Sequence, residues 1–174
     1  MDLRYEFPAI IEADEIGRFL VRFPDLREAL TDGATIEEAM SEAADCLTVA
    51  LSGRLSDGLP IPAPSPVARG QFRVAPAPEI ALKAALRTAL TAKKATAADL
   101  ARALNVDHKD ARRLLDPNEP SKLPRLSEAL ASLGYAVSMT VYDRSRKGRL
   151  LATPRAPRAH TPKIGRTVRV SKTG

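Results

Sequence analysis

The sequence predicts an α+β protein in which strands and one helix come first and an all-helical unit follows. Three observations predict this class: turn residues separate short runs of mixed apolar and polar residues before residue 34, a long amphipathic helix pattern follows, and alanine- and leucine-rich helical patterns begin at residue 79. A chain of 174 residues has room for two small cores. We therefore predict domains at residues 1–76 and 77–142, followed by a tail at residues 143–174.

The strands are predicted from alternation and turn chemistry. Residues 3–13 and 19–23 mix apolar and charged side chains, and a turn-forming run separates them as in a hairpin. Pro24 and Asp25 end the second strand, and a short third strand is predicted at residues 29–31. A further strand is predicted at 71–75, after a proline-rich arm.

One long helix is predicted to cover this sheet. Thr35 is its N-cap, and Glu38 is placed to bond back to the Thr35 amide in a capping box. Apolar residues recur at spacings of three and four and form one stripe, which comprises Ile36, Ala39, Met40, Ala43, Leu47, Ala50, Leu51 and Leu55.

A helix-turn-helix is predicted inside the second unit, at residues 96–115. Thr96 caps the first of its two helices, Asn105 supplies the left-handed residue that a tight turn needs, and Asp107 caps the second. Ala101 is small enough to let the two helices approach. This arrangement is typical of DNA-binding proteins, in which the second helix enters the major groove.

The predicted second helix carries basic residues on its outer side, and these are our candidate DNA contacts. Arginine and lysine bond guanine edges or phosphates, and histidine contacts either. Basic residues elsewhere in the unit are predicted to bind the flanking phosphates. The candidates are His108, Lys109, Arg112 and Arg113 on the helix, with Lys93, Lys94 and Arg125 as the flanking set.

The rest of the second unit is predicted to be helical up to a final strand. A helix precedes the helix-turn-helix, and another at residues 123–133 ends at Gly134. Residues 137–141 alternate as a short strand, which either completes the core of the unit or pairs across a dimer. The tail shows no sustained apolar pattern and is predicted to be mostly disordered.

Charge is separated along the chain. Residues 1–70 carry 13 acidic and 6 basic side chains, residues 71–142 carry 7 and 11, and residues 143–174 carry 1 and 10. An acidic front half suits a basic protein partner, and a basic rear half suits nucleic acid.

The composition argues against other classes. A single cysteine, Cys46, excludes an intramolecular disulfide and a thiolate metal cluster, and neither a signal peptide nor a membrane span is indicated, so we expect a cytoplasmic location. We expect no enzyme, metal or cofactor, because the acidic candidates lie in turns or beside a proline. Those candidates are Asp14, Glu15, Asp25 and Asp32.

Six motifs follow one another along the chain in a fixed order and spacing. They are YEFPAIIE at 5–12, FLVRFPDL at 19–26, TDGATIEEA at 31–39, DGLPIP at 57–62, IALKAAL at 80–86 and ARRLLDP at 111–117. Together they resemble the HicB antitoxin family in its helix-turn-helix version, over about residues 3–142. The loop at residues 27–29 departs from the family pattern.

This resemblance implies a partial RNase H-like first domain that binds and blocks a small HicA ribonuclease toxin. It also implies a dimerising DNA-binding domain that represses the shared operon. Phe23, Pro24 and Asp25 in the second motif are then candidate toxin contacts. The expected partners are a HicA-like toxin, operator DNA and a second copy of the chain, without a membrane.

Two alternatives remain open at this level. The chain is alternatively a solitary transcription regulator whose first domain senses a ligand or only dimerises. A third hypothesis is general nucleic-acid binding through the tail, because of its charge.

Overall fold

The computed structural model describes residues 3–140 and confirms a mixed α+β architecture with an antiparallel four-stranded sheet. The predicted disordered tail lies outside the described residues, as does the end of the predicted last strand. No helix in the described part is long and apolar enough to cross a membrane. The elements are β1 Phe7–Ala13, β2 Phe19–Phe23, β3 Leu26–Gly33, α1 Ile36–Ser56, β4 Phe72–Val74, α2 Pro78–Ala92, α3 Ala97–Leu104, α4 His108–Arg113 and α5 Leu123–Ser132.

The sheet has the strand order β3-β2-β1-β4, and each neighbouring pair is antiparallel. The turn between β1 and β2 forms because the Asp14 carboxylate accepts the backbone N–H groups of Ile16 and Arg18, at 3.0 and 2.8 Å. Strand β3 is longer than the predicted residues 29–31, because its pairing with β2 continues to Gly33. A register irregularity at Arg22 and Phe23 lies next to the β2–β3 turn.

Helix α1 packs on one face of the sheet. The Thr35 side chain accepts the Glu38 N–H at 3.1 Å, as predicted. The Glu38 carboxylate, however, accepts the N–H of Ala34 at 2.8 Å and not that of Thr35. The prediction was wrong by one residue, since the long glutamate side chain reaches the amide before the cap. The fully buried side chains of α1 are Ala39, Ala43, Leu47, Leu51 and Leu55.

Helix α2 contributes to two hydrophobic clusters. Its residue Ile80 belongs to the cluster between the sheet and α1, and Leu86 belongs to the cluster among α2 to α5. Leu3 and Tyr5, from the segment before β1, pack against the second cluster. The two halves of the chain therefore share a helix and the N-terminal segment.

The predicted strand at residues 137–141 does not form over its described part, residues 137–140. A strand needs a neighbouring edge for its backbone groups, and these residues pair with no strand in the described chain. The Val137 and Met139 side chains are 38% and 60% exposed, so they do not complete the core of the unit either. Helix α5 ends at Ser132 with Leu133 as its C-cap, and the predicted Gly134 follows with φ +82°.

Candidate nucleic-acid and partner interfaces

The turn between α3 and α4 is built from local hydrogen bonds. At the start of α3, the Thr96 side chain accepts the Asp99 N–H and the Asp99 carboxylate accepts the Thr96 N–H, a reciprocal capping box. At its end, Asn105 adopts the left-handed conformation with φ +52°. The Val106 N–H then reaches the Ala101 carbonyl at 3.0 Å. The chain thus reverses between α3 and α4 within three residues.

Helix α4 is held by one apolar side and presents its basic side to solvent. The Asp107 side chain caps it by accepting the Asp110 N–H at 2.8 Å. Ala111 is fully buried, and Leu114 and Leu115 directly after the helix are also buried. The opposite side carries the predicted residues His108, Lys109, Arg112 and Arg113, all exposed.

An open cleft on the surface brings these four residues together. Two acidic residues from the segment after α4, Asp116 and Glu119, form the rest of its lining. Arg113 lies 3.7 Å from the Glu119 carboxylate and 3.8 Å from that of Asp110. In the described part of the chain, Arg112 and Lys109 make no ion pair, so their charges face solvent. The cleft therefore has a basic wall on α4 and an acidic rim opposite Arg113.

The predicted flanking residues lie outside this cleft. Lys93 and Lys94 follow the C-terminus of α2, and Lys94 has a left-handed backbone with φ +52°. Both side chains are exposed. Arg125 is half-buried on α5 and pairs with Glu128 on the same helix. Their roles as phosphate contacts stay predictions.

Sequence reasoning missed Lys83, which lies beneath the cleft. Its side chain is fully buried between α2 and the segment that follows α4. The available signal was its position inside the apolar pattern of α2, three residues after Ile80 and three before Leu86. The i, i+4 spacing to Glu79 was a second signal for a buried ion pair.

The predicted toxin contacts at the β2–β3 turn differ in accessibility. Phe23 is only 2% exposed and packs in the sheet–α1 cluster, so its side chain supports the turn from inside and is closed to a partner. Pro24 is exposed. The Asp25 carboxylate accepts the N–H and hydroxyl of Ser65, at 2.8 and 2.5 Å, and so binds the proline-rich arm to the turn.

The first half of the chain presents an acidic outer surface. Its arginines are largely neutralised, because Arg18 pairs with Asp32, Arg22 with Glu12 and Arg54 with Glu28. Four exposed carboxylates on α1 have no ion-pair partner within residues 3–140, and they belong to Glu37, Glu38, Glu42 and Asp45.

Comparison with known proteins identifies the family of this chain. A family model described as a HicB-like antitoxin of bacterial toxin–antitoxin systems matches residues 6–85. Antitoxin HicB 2 of Photorhabdus laumondii subsp. laumondii is 34% identical over 134 residues, which cover 77% of this chain and 94% of that protein. Antitoxin HicB 1 of the same organism is 31% identical over 135 residues, covering 78% of this chain and 86% of that protein.

A third relative also aligns with most of this chain. Antitoxin HicB of Escherichia coli strain K12 is 29% identical over 135 residues, covering 78% of this chain and 98% of that protein. These alignments are longer than the match at 6–85, so they necessarily include residues outside it. The class of protein is an antitoxin of a bacterial toxin–antitoxin system. Within that class, the chain belongs to the HicB-like family.

Proposed function

We propose that this antitoxin binds and masks a small mRNA-cleaving toxin of the HicA type and represses its own operon through α3 and α4. The observation that carries the proposal is the pairing, in one HicB-like chain, of an acidic α/β half with an exposed basic helix. The first half then occupies the toxin, and the second reads the operator.

The helical half has the features that a helix-turn-helix requires. The α3–α4 connection is short, the small residue Ala101 is buried in the helical cluster, and the cationic side chains of α4 are exposed. His108 and Lys109 lie in the first turn of α4, the end that enters the major groove in such proteins. Arg112 and Arg113 follow one turn later, within reach of bases or phosphates.

Dimerisation is part of this proposal. A single helix-turn-helix reads only a few base pairs, so two copies on a palindromic operator are expected. The exposed apolar side chains of Val137 and Met139 favour a contact with a second copy over packing against the rest of residues 3–140.

The α/β half is proposed to act by binding in the cytoplasm, with no metal or cofactor. Its acidic surface complements the basic surface that an RNA-cleaving protein needs, and complementary charge speeds encounter. Three of the four acidic candidates have structural partners here: Asp14 holds a turn, Asp25 binds Ser65, and Asp32 pairs with Arg18. The fourth, Glu15, is exposed in the turn between β1 and β2. Those contacts support a masking role over a catalytic one.

A gel shift with the DNA upstream of the gene tests the operator-binding half. Wild type is compared with the Lys109→Ala, Arg112→Ala double variant in excess random DNA. The matched control is Arg27→Ala, Arg69→Ala, which removes the same charge from exposed sites in the first half. We expect selective binding that only the α4 variant loses. Equal binding to random DNA by all three proteins contradicts the proposal and favours the tail.

Co-expression tests the toxin-binding half. The chain is produced with a HicA-type toxin encoded in the same operon, and the purified complex is assayed for RNA cleavage. Co-purification with suppressed cleavage is expected. A toxin that fails to co-purify, or that still cleaves RNA in the complex, contradicts masking and favours a solitary regulator.

A further inference from the structure

Lys83 is a fully buried charged side chain in the middle of α2. Its ammonium has three N–H donors, and three oxygens surround it. These are the backbone carbonyls of Asp116, at 2.6 Å, and Glu119, together with the Glu79 carboxylate at 3.2 Å. Complete pairing explains why a buried charge is tolerated here, since an unpaired one is strongly unfavourable.

The same cluster fastens the whole segment between α4 and α5. The Glu79 carboxylate, besides pairing with Lys83, accepts the N–H of Ser121 at 2.7 Å. Glu79 and Lys83, one turn apart on α2, therefore hold this segment at three points. These points are Asp116, Glu119 and Ser121. Such a segment, without regular structure of its own, takes its position from these bonds.

A short series of contacts connects Lys83 to the cleft on α4. The Asp116 N–H bonds to the carbonyls of Arg112 and Arg113, at 3.1 and 3.3 Å, so the peptide that Lys83 holds adjoins the last turn of α4. Glu119, held by its carbonyl, directs its carboxylate toward Arg113. The acidic rim of the cleft thus lies on a backbone that Lys83 fixes from below.

We propose that Lys83 is a positioning residue for DNA recognition, which fixes the end of α4 and the orientation of Arg113 through the Asp116–Glu119 backbone. This inference rests on the proposed operator binding and adds a buried residue that never contacts DNA. Its role differs from general stabilisation, because a misplaced α4 loses sequence preference while its phosphate-binding charges remain.

The test measures the ratio of operator affinity to random-DNA affinity in the full chain. Lys83→Met keeps the length of the side chain and removes its donors. Lys122→Met, at an exposed site before α5, removes the same charge and serves as control. We expect Lys83→Met to lower the ratio about tenfold, the discrimination that one well-placed side chain supplies. Random-DNA affinity and toxin co-purification should stay within about twofold of wild type.

Amide hydrogen exchange of residues 116–121 is the second readout, and faster exchange in Lys83→Met is expected. If Lys83→Met does not fold, Glu79→Gln keeps an oxygen for Ser121 while removing the counter-charge, and a smaller drop in the ratio is expected. An unchanged ratio in a folded Lys83→Met, or in Glu79→Gln when the first variant is unfolded, overturns the inference. A wild type without operator preference overturns the proposed DNA reading itself, and this inference with it.

Discussion

The Tyr5 hydroxyl lies 2.8 Å from the Thr88 hydroxyl and donates a hydrogen bond to it, which ties the segment before β1 to α2. The two residues are 83 positions apart, and Tyr5 packs against both hydrophobic clusters. Because α2 also contributes to both clusters, the bond connects the two halves at a point where they already share a helix. We therefore expect the halves to unfold together.

Replacing Tyr5 with phenylalanine tests this connection. Loss of the bond should lower the free energy of unfolding by about 1 kcal/mol, since Thr88 keeps access to water. Tyr135→Phe is the control, because Tyr135 packs against the same helical cluster and its hydroxyl makes no hydrogen bond within residues 3–140. Urea unfolding followed by circular dichroism measures both variants. Two separate transitions in wild type would contradict the shared unfolding.

The same tyrosine predicts a loss of stability in alkali. Burial is the main cause that raises the pKa of the Tyr5 phenol above its ordinary value near 10. A raised pKa means that the folded state favours the neutral form, so its stability is complete below pH 10 and falls as the pH rises through the raised pKa. Wild type should therefore lose stability above pH 10 faster than Tyr5→Phe, in thermal melts across that range.

Gly33, at the end of β3, is predicted to be irreplaceable for steric reasons. A Cβ at this position would lie 2.4 Å from the Ala39 nitrogen and 2.7 Å from its Cα, both in the helix backbone. Gly33→Ala must therefore separate β3 from α1 and should destabilise by about 3 kcal/mol. In Gly53→Ala the new methyl group meets open space, and that variant should be stabilised by up to about 1 kcal/mol. Equal melting temperatures for the two variants would disprove this packing.

Local signals in the sequence predicted most of the fold. Thr35, Thr96 and Asn105 mark helix ends in the structure as they do in the sequence, because caps and turns depend on neighbouring residues alone. The strand predicted at residues 137–141 does not form over its described residues 137–140, because alternation says nothing about whether a partner edge exists within the chain. The Glu38 carboxylate accepts the N–H of Ala34 and not the predicted N–H of Thr35, because residue spacing does not encode how far a side chain reaches.

The candidate site was less predictable than the fold. The cationic face of α4 is readable because helical spacing places its residues together. The acidic rim is held by hydrogen bonds from Lys83 to the carbonyls of Asp116 and Glu119, which lie 33 and 36 positions further along the chain. No local sequence pattern contains contacts over such distances. The burial of Phe23 was not predicted, because alternation gives two faces of a strand but does not say which one α1 covers, and its role as a toxin contact stays a prediction.

The capping box at the start of α3 predicts a stability effect that depends on pH. Thr96→Ala removes a bond to the Asp99 N–H and should cost about 1 kcal/mol at pH 7. Hydrogen bonds from Thr96 are the main cause that lowers the pKa of Asp99. Their stabilising effect is present above the ordinary aspartate pKa of about 4 and is lost as the pH falls through the lowered pKa.

The cost of Thr96→Ala should therefore be smaller near pH 2 than at pH 7. Urea titrations at the two pH values measure it. Thr91→Ala is the matched control, since the Thr91 hydroxyl only bonds to a carbonyl within its own helix at an exposed site. A cost that is the same at both pH values would show that the Thr96 hydroxyl does not bond to the Asp99 carboxylate in solution.

Two substitutions of Asn105, the left-handed residue of the α3–α4 turn, should change the free energy of unfolding in different directions. Asn105→Gly should be neutral or slightly stabilising, because glycine adopts φ +52° without a steric penalty. Asn105→Ala should cost about 1 kcal/mol, because alanine has a Cβ but lacks the short polar side chain whose local hydrogen bonds let asparagine adopt this conformation. Thermal melts rank the two variants, and an alanine variant as stable as the glycine variant would mean that the turn relaxes to another conformation.

Salt dependence separates the two arginines at the end of α4. Arg112 makes no ion pair in the described chain, whereas Arg113 lies near the carboxylates of Asp110 and Glu119. If Arg112 neutralises one phosphate, Arg112→Ala should reduce the slope of log affinity against log salt concentration by about 0.9. Arg113→Ala should change the slope less, because part of its charge is already balanced. Fluorescence anisotropy with labelled operator DNA across a salt series gives both slopes.

Arg27→Ala, at an exposed site in the acidic half, should leave the slope unchanged. Equal slopes for Arg112→Ala and Arg27→Ala would place the phosphate contacts away from α4, whereas a larger change for Arg113→Ala would mean that DNA displaces the acidic rim.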